Sequence, residues 1–251
     1  MKSVLKASLL YTFCIIICIS CSKKNEQAIP ENKCDYLKSW AFLDYAGKPV
    51  NISYFTYDNN GKVTSMKGEG LIKTTFQYNK NTIIVDAVEF DGSQSKSTYS
   101  LDGNGYITSN SQYNYNCRYD SQGYLIAFDR PSTSPNGGIS YTTFRFSYKD
   151  GNLVKITAPE PYYSGQVSDI TYQDKPAQSC SGLNSSLFLT GFLGPKEAIL
   201  AHGGYFGKTS RNLVKEVTFS SNGYPTPILH NYDSKDRVIS TNSVVYTYEC
   251  D

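Results

Sequence analysis

One short unit recurs along the chain, and wherever it falls the backbone has to turn back on itself. Its pattern is an aromatic or large apolar residue, an acid or amide, two turn formers that often include glycine, and then a β-branched run. Clear copies are YDNNGKVTSM from Tyr57, LDGNGYIT from Leu101, YDSQGYLIAF from Tyr119 and YKDGNLVKIT from Tyr148. Looser ones begin at Tyr78, Tyr172, Phe219 and Tyr232. Asp and Asn side chains bond the backbone just ahead of them, and glycine accepts the positive φ that tight hairpins need. Each copy therefore reads as a hairpin turn, and the spacing between copies leaves room for two strands and two turns.

The segments between turns alternate. In YNYNCRY (113–119) Tyr113, Tyr115, Cys117 and Tyr119 share one face, with Asn114, Asn116 and Arg118 on the other. In TTFRFSY (142–148) Phe144, Phe146 and Tyr148 oppose Thr143, Arg145 and Ser147. In IKTTFQY (72–78) Ile72, Phe76 and Tyr78 oppose Lys73, Thr75 and Gln77. A period of two with one aromatic and one polar face means antiparallel strands with one side in water. The 22 tyrosines and 12 phenylalanines suit strands, and aromatics returning once per repeat belong to a core. The expectation is all-β: an antiparallel up-and-down meander of about sixteen strands, strongly curved or closed into a barrel. Residues 34–251 form this single domain.

One stretch breaks the alternation. Residues 181–211 are dense in Leu, Phe and Gly. A short helical insertion is expected near 183–205, with Ser185 able to cap one turn and Pro195 at the first position of PKEAILAH. So apolar an insertion must bury itself, by covering or plugging one end of the sheet or as a lid.

LDGNGYIT also has the middle of a calcium loop. Laid over that loop, however, Ser100 falls at position 1 and Ser111 at position 12, so the closing bidentate glutamate is missing. No metal and no cofactor is expected.

The N-terminus carries an address. Lys2 and Lys6 precede an uncharged stretch from Ala7 to Ile19, shorter than the ~20 apolar residues of a spanning helix and suited to a secretory signal. Its end, Ser20 then Cys21, resembles a bacterial lipobox, with Cys18 where leucine is usual. Residues 1–20 are read as a lipoprotein signal peptide, Cys21 as the lipid anchor, and 21–33 as lipidated cysteine and polar tether. Loss of two signal lysines from 24 basic residues leaves 22 against 22 acidic ones. That balance offers no basic face for nucleic acid and nothing for an anionic bilayer, so the lipid on Cys21 is the expected membrane contact.

Signal and lipobox, tether, Tyr-Asp-x-x-Gly units and the run GGYFGKTSRNLVKEV at 203–217 together resemble a family of Bacteroides-type lipoproteins of unknown function with a porin-like β-fold. Single units also resemble the YD repeats of Rhs shell proteins. The resemblance implies a curved β-meander held at the outer membrane by lipid, and it brings no catalytic residue. Ser22-Lys23-Lys24-Asn25-Glu26 matches the acidic surface-export signal of such lipoproteins poorly, so the periplasmic side and the cell surface both stay open.

Catalytic signatures are sparse. His202 and His230 are the only histidines, and neither G-x-S-x-G nor H-E-x-x-H occurs. A glycan-active hydrolase needs only a carboxylate pair, for which Glu89, Glu160, Glu197 and Glu216 are the candidates. The favoured reading is a non-enzymatic binding or assembly module with a glycan, peptide or outer-membrane protein partner. Cys34 opens the first strand and Cys250 ends the last. An even strand count would put both at one rim, so a Cys34–Cys250 disulfide is expected if the sheet closes. Cys117, on an aromatic face, is expected to be a buried free thiol.

Overall fold

The computed structural model describes residues 36–68, 73–89, 91–112, 114–133, 139–158, 168–177, 192–219, 223–242 and 244–249. The expected all-β meander is present as one 17-stranded antiparallel sheet. Its strands are β1 (Leu37–Leu43), β2 (Pro49–Tyr57), β3 (Val63–Gly68), β4 (Lys73–Tyr78), β5 (Thr82–Val88), β6 (Gln94–Leu101), β7 (Ile107–Asn110), β8 (Asn116–Tyr119) and β9 (Leu125–Thr133). There follow β10 (Ile139–Lys149), β11 (Asn152–Thr157), β12 (Ser168–Pro176), β13 (Asn212–Phe219), β14 (Pro225–Pro227), β15 (Asn231–Tyr232), β16 (Val238–Ser240) and β17 (Val244–Tyr248). A single helix, α1 (Pro195–His202), appears among the described residues.

The Asp-x-x-Gly units are hairpin turns with a glycine bulge. At Asp58 the N–H donates to the Lys62 carbonyl at 2.9 Å, and the Gly61 N–H returns to the Asp58 carbonyl at 3.1 Å. The Asp58 carboxylate takes the N–H groups of Asn60 and Lys62 at 2.8 and 2.9 Å, while Gly61 sits at φ 76°. The same net recurs at Asp102, Asp120 and Asp233. Asp102 thus spends its carboxylate on its own turn.

Strand direction shows how the sheet curls. β1 pairs with β2 on one side and with β17 on the other, Leu37 facing Tyr248 and Phe42 facing Val244. Both neighbours are antiparallel to β1. Alternation from β1 to β14 then leaves β14 and β15 running the same way, as two halves of one interrupted strand. The described strands make sixteen passes, and their two ends meet at one rim, called here the near rim. The interruption has a local cause. Alternate N–H groups of a strand point to opposite neighbours, and the Ile228 N–H bonds the Lys215 carbonyl on β13 at 2.8 Å. The nitrogens of Pro225 and Pro227 therefore face away from β13, where proline has no proton to donate. Asn242 bridges the break, accepting from the Leu229 N–H at 2.6 Å and donating to the Pro227 carbonyl at 2.5 Å. The sheet is curled rather than sealed by a continuous ladder.

Inside the curl lies the core, with Trp40, Phe76, Tyr99, Tyr115, Cys117, Phe144 and Phe146 all buried. Cys117 is a free thiol, as expected, and burial pushes it up to about 12. Helix α1 has four consecutive buried residues, Ala198 to Ala201, which cover all sides of a helix. It therefore runs within the curl, as a plug. Phe192 just ahead of it meets Phe128, Phe144 and Phe146 edge-on at 4.8, 5.0 and 5.1 Å. Beyond it the chain binds the near-rim turns, with the N–H groups of Lys208 and Arg211 each 2.9 Å from the carbonyls of Gly123 and Gly151. The helix begins at Pro195 as the sequence implies, and 183–191 lies outside the described residues.

The outer wall is polar. Cross-strand ion pairs Lys96–Asp86 (3.7 Å), Arg118–Asp129 (3.0 Å) and Lys155–Asp169 (3.8 Å) dot it. A membrane-spanning barrel has the reverse arrangement, apolar outside and polar inside.

Candidate functional site

β7 and β8 have four residues each, whereas β6, β9 and β10 have eight, nine and eleven. Their hairpin stops short of the far rim and leaves a notch in the wall. The connecting turn is tightly held. The Asn114 N–H bonds the Asn110 carbonyl at 2.9 Å with Asn114 at φ 47°, and the Asn110 side chain accepts from the Gln112 N–H at 2.7 Å. Ser111 and Thr98 exchange two bonds of 2.9 Å, N–H to carbonyl and N–H to hydroxyl.

A groove of about 370 Å³ occupies the notch. Thr98, Ser100, Ser109, Ser111, Asn114 and Asn116 line it with hydroxyls and amides, over Asn110 and the buried Tyr115. Tyr141, from β10, closes one side and is 52% exposed. Among the described residues no lining residue is charged. The charges beside it cancel each other, since Arg118 pairs with Asp129 at 3.0 Å and Thr143 donates to the same carboxylate at 2.7 Å. A second groove of the same size, over β4 to β6, is lined by Lys73, Asp86 and Lys96 and so carries charge.

None of the described catalytic candidates of the sequence lines the groove. Cys21, Cys34, Cys250, Glu160 and Ser185 lie outside the described residues. Glu89 is paired with Lys196 at 2.8 Å. That lysine, with Ser95 assisting, holds its carboxyl below the usual range despite opposing burial, the wrong direction for a general acid. Glu197 accepts from the Tyr99 hydroxyl at 2.9 Å, so it fixes the plug to the wall. Glu216 stands on β13 opposite Pro227 and Thr171. His230 donates from Nε2 to the Val214 carbonyl at 2.8 Å, and burial lowers its pKa. Burial brings His202 down to about 4. Among the described residues no group of three or more His, Cys, Asp or Glu side chains could hold a metal ion.

The groove was not among the sequence candidates. Its signal is the Ser, Thr and Asn at alternate outward positions of β6 to β8. Tyr141 joins it only through strand pairing.

A family model described as a domain of unknown function (DUF4595) with porin-like fold matches residues 55–251. Among solved structures, the chain is similar to a porin-like protein from Bacteroides uniformis at 17% identity and TM-score 0.62. That match covers 85% of this chain and 96% of the other. A porin-like protein from Bacteroides vulgatus matches at 11% identity and TM-score 0.57, over 86% and 99% of the two chains. No curated protein matches. At these identities the similarity extends to the fold alone.

Proposed function

The chain belongs to the family described as a domain of unknown function with porin-like fold, and from that premise we propose that it is a lipid-anchored cell-envelope protein acting as a non-enzymatic binding module. Cys21 carries the anchor, at the outer membrane, and the domain reaches its ligand through the groove of β6 to β8. The observation that carries this reading is the division of labour among polar groups. The described turn aspartates of the repeat, with Glu89 and Glu197, are spent on turns and on the plug, whereas the groove presents uncharged polar groups to solvent. A polar outer wall supports attachment by lipid instead of by the strands. Among the described residues the groove lining holds no carboxylate, so it offers recognition and no acid–base chemistry.

The test is to present the purified protein with envelope polysaccharides and peptides, recording retention and release of reducing ends together. Saturable retention without release is expected. Turnover that scales with protein concentration and disappears in Glu216→Gln or Glu160→Gln would overturn the reading in favour of a hydrolase.

A further inference from the structure

We infer that the groove of β6 to β8 takes a neutral, polyhydroxylated ligand, an oligosaccharide stretch laid against Tyr141. This deepens the binding-module reading and rests on it. Thr98, Ser100 and Ser109 offer hydroxyls that donate and accept, and Asn114 and Asn116 offer one acceptor and two donors each. Sugar hydroxyls need this mixture, because each both gives and takes a hydrogen bond. An anion would need a cation in the lining, and Arg118, beside the groove, is held by Asp129 at 3.0 Å. A lipid or apolar ligand would need an apolar pocket, and among the described lining residues only the two tyrosines supply large apolar surface. An added peptide strand would need a free sheet edge within the groove, where Ser100 already pairs with Ser109, Ser109 with Asn116, and the Thr98 backbone bonds Ser111.

Two features mark the groove as built. The Asn114 backbone is held in the left-handed region at φ 47°, and the turn carrying it is fixed by four hydrogen bonds to Asn110 and Thr98. The lining therefore needs little ordering when a ligand arrives. Tyr141 keeps half its surface in water on a strand whose other aromatics, Phe144, Phe146 and Tyr148, pack into or against the core. An aromatic face of that kind packs against the C–H face of a sugar ring while its neighbours bond the hydroxyls.

The experiment is calorimetric titration of the full chain, solubilised from its native envelope in mild detergent, with linear gluco-, manno-, galacto- and xylo-hexasaccharides. Polygalacturonate and heparin fragments serve as charged probes. At least one neutral hexasaccharide should bind, and Tyr141→Ala should weaken it at least about tenfold. Tyr224→Ala, which removes a tyrosine 76% exposed at another turn, should leave it unchanged. Binding of charged probes alone, or neutral binding untouched by both Tyr141→Ala and Ser109→Phe, overturns this inference and leaves a binding module with another ligand. Release of reducing ends would instead remove the module reading itself.

Discussion

The hydroxyl of Tyr248, at the end of β17, donates to the carbonyl oxygen of Val238, at the start of β16, at 2.6 Å. The relationship is repeated around the near rim. Tyr57 bonds Leu37 at 2.7 Å, Tyr78 bonds Val63 at 2.8 Å, Tyr119 bonds Ile107 at 2.8 Å and Tyr172 bonds Leu153 at 2.6 Å. In all but the Tyr172 pair the last residue of a strand closes the first carbonyl of the strand before it; Tyr172 lies within β12 and Leu153 is second on β11. The aromatic of the repeat is therefore a hydrogen-bonded staple as well as core.

Removing one staple hydroxyl strands a buried carbonyl. Tyr248→Phe should cost about 1–2 kcal/mol in urea unfolding. Tyr224→Phe, at an exposed position, should cost almost nothing. Equal costs would dismiss the staple.

Two glycines with similar dihedrals should respond differently to alanine. Gly47 has φ 73° and open space around it, so Gly47→Ala meets only backbone strain, about 1 kcal/mol. Gly207 has φ 82°, but a Cβ there would lie 2.5 Å from the Gly123 carbonyl oxygen and 2.9 Å from the Tyr119 ring. Backbone cannot give way as a side-chain tip can. Gly207→Ala should cost upward of about 2 kcal/mol and raise amide exchange across 205–211. Similar stabilities for the two variants would show that the plug does not bear on the rim.

His202 gives the fold an acid limit. Burial lowers its pKa from 6.5 to about 4, so in that interval the unfolded chain binds a proton that the folded chain refuses. Its contribution is complete above pH 6.5 and is lost as pH falls toward 4, on the order of 3 kcal/mol. Thermal melts from pH 8 to pH 4 should fall less steeply for His202→Gln than for the parent. Parallel curves would contradict this.

The turns and the alternation could be read because both are local. Asp58, Asp102 and Asp120 bond backbone two and four residues ahead, and Phe144 and Phe146 announce their face by spacing alone. The groove could not be read in that way. It depends on how short β7 and β8 are, and on Tyr141 arriving from β10 beyond β9. The interruption after β14 was written in Pro225 and Pro227, yet only the pairing partner says which side of the strand lacks its donors. Helix α1 was legible as a helix, and its place inside the curl follows from burial on every side.

The β1–β17 pairing leads toward the two terminal cysteines. The Glu249 N–H donates to the Tyr36 carbonyl at 2.8 Å, and Cys34 and Cys250 lie just beyond those residues along the chain. We propose that they form a disulfide, giving two electrons and two protons to the disulfide of an oxidising envelope protein, which is reduced to a dithiol. A link across so long a loop would contribute about 5 kcal/mol in the chain-entropy model. Non-reducing peptide mapping should recover the 34–250 pair, and a free Cys250 or a Cys180–Cys250 link would refute it.

We propose that this porin-like sheet faces water and meets the membrane only through lipid on Cys21. Detergent phase partitioning of the chain from its native host, alongside Cys21→Ala, tests that most directly. The parent should enter the detergent phase and incorporate labelled palmitate, and the variant should do neither and remain in the aqueous phase. Recovery of Cys21→Ala in the detergent phase would mean that the sheet itself is embedded, contradicting the account.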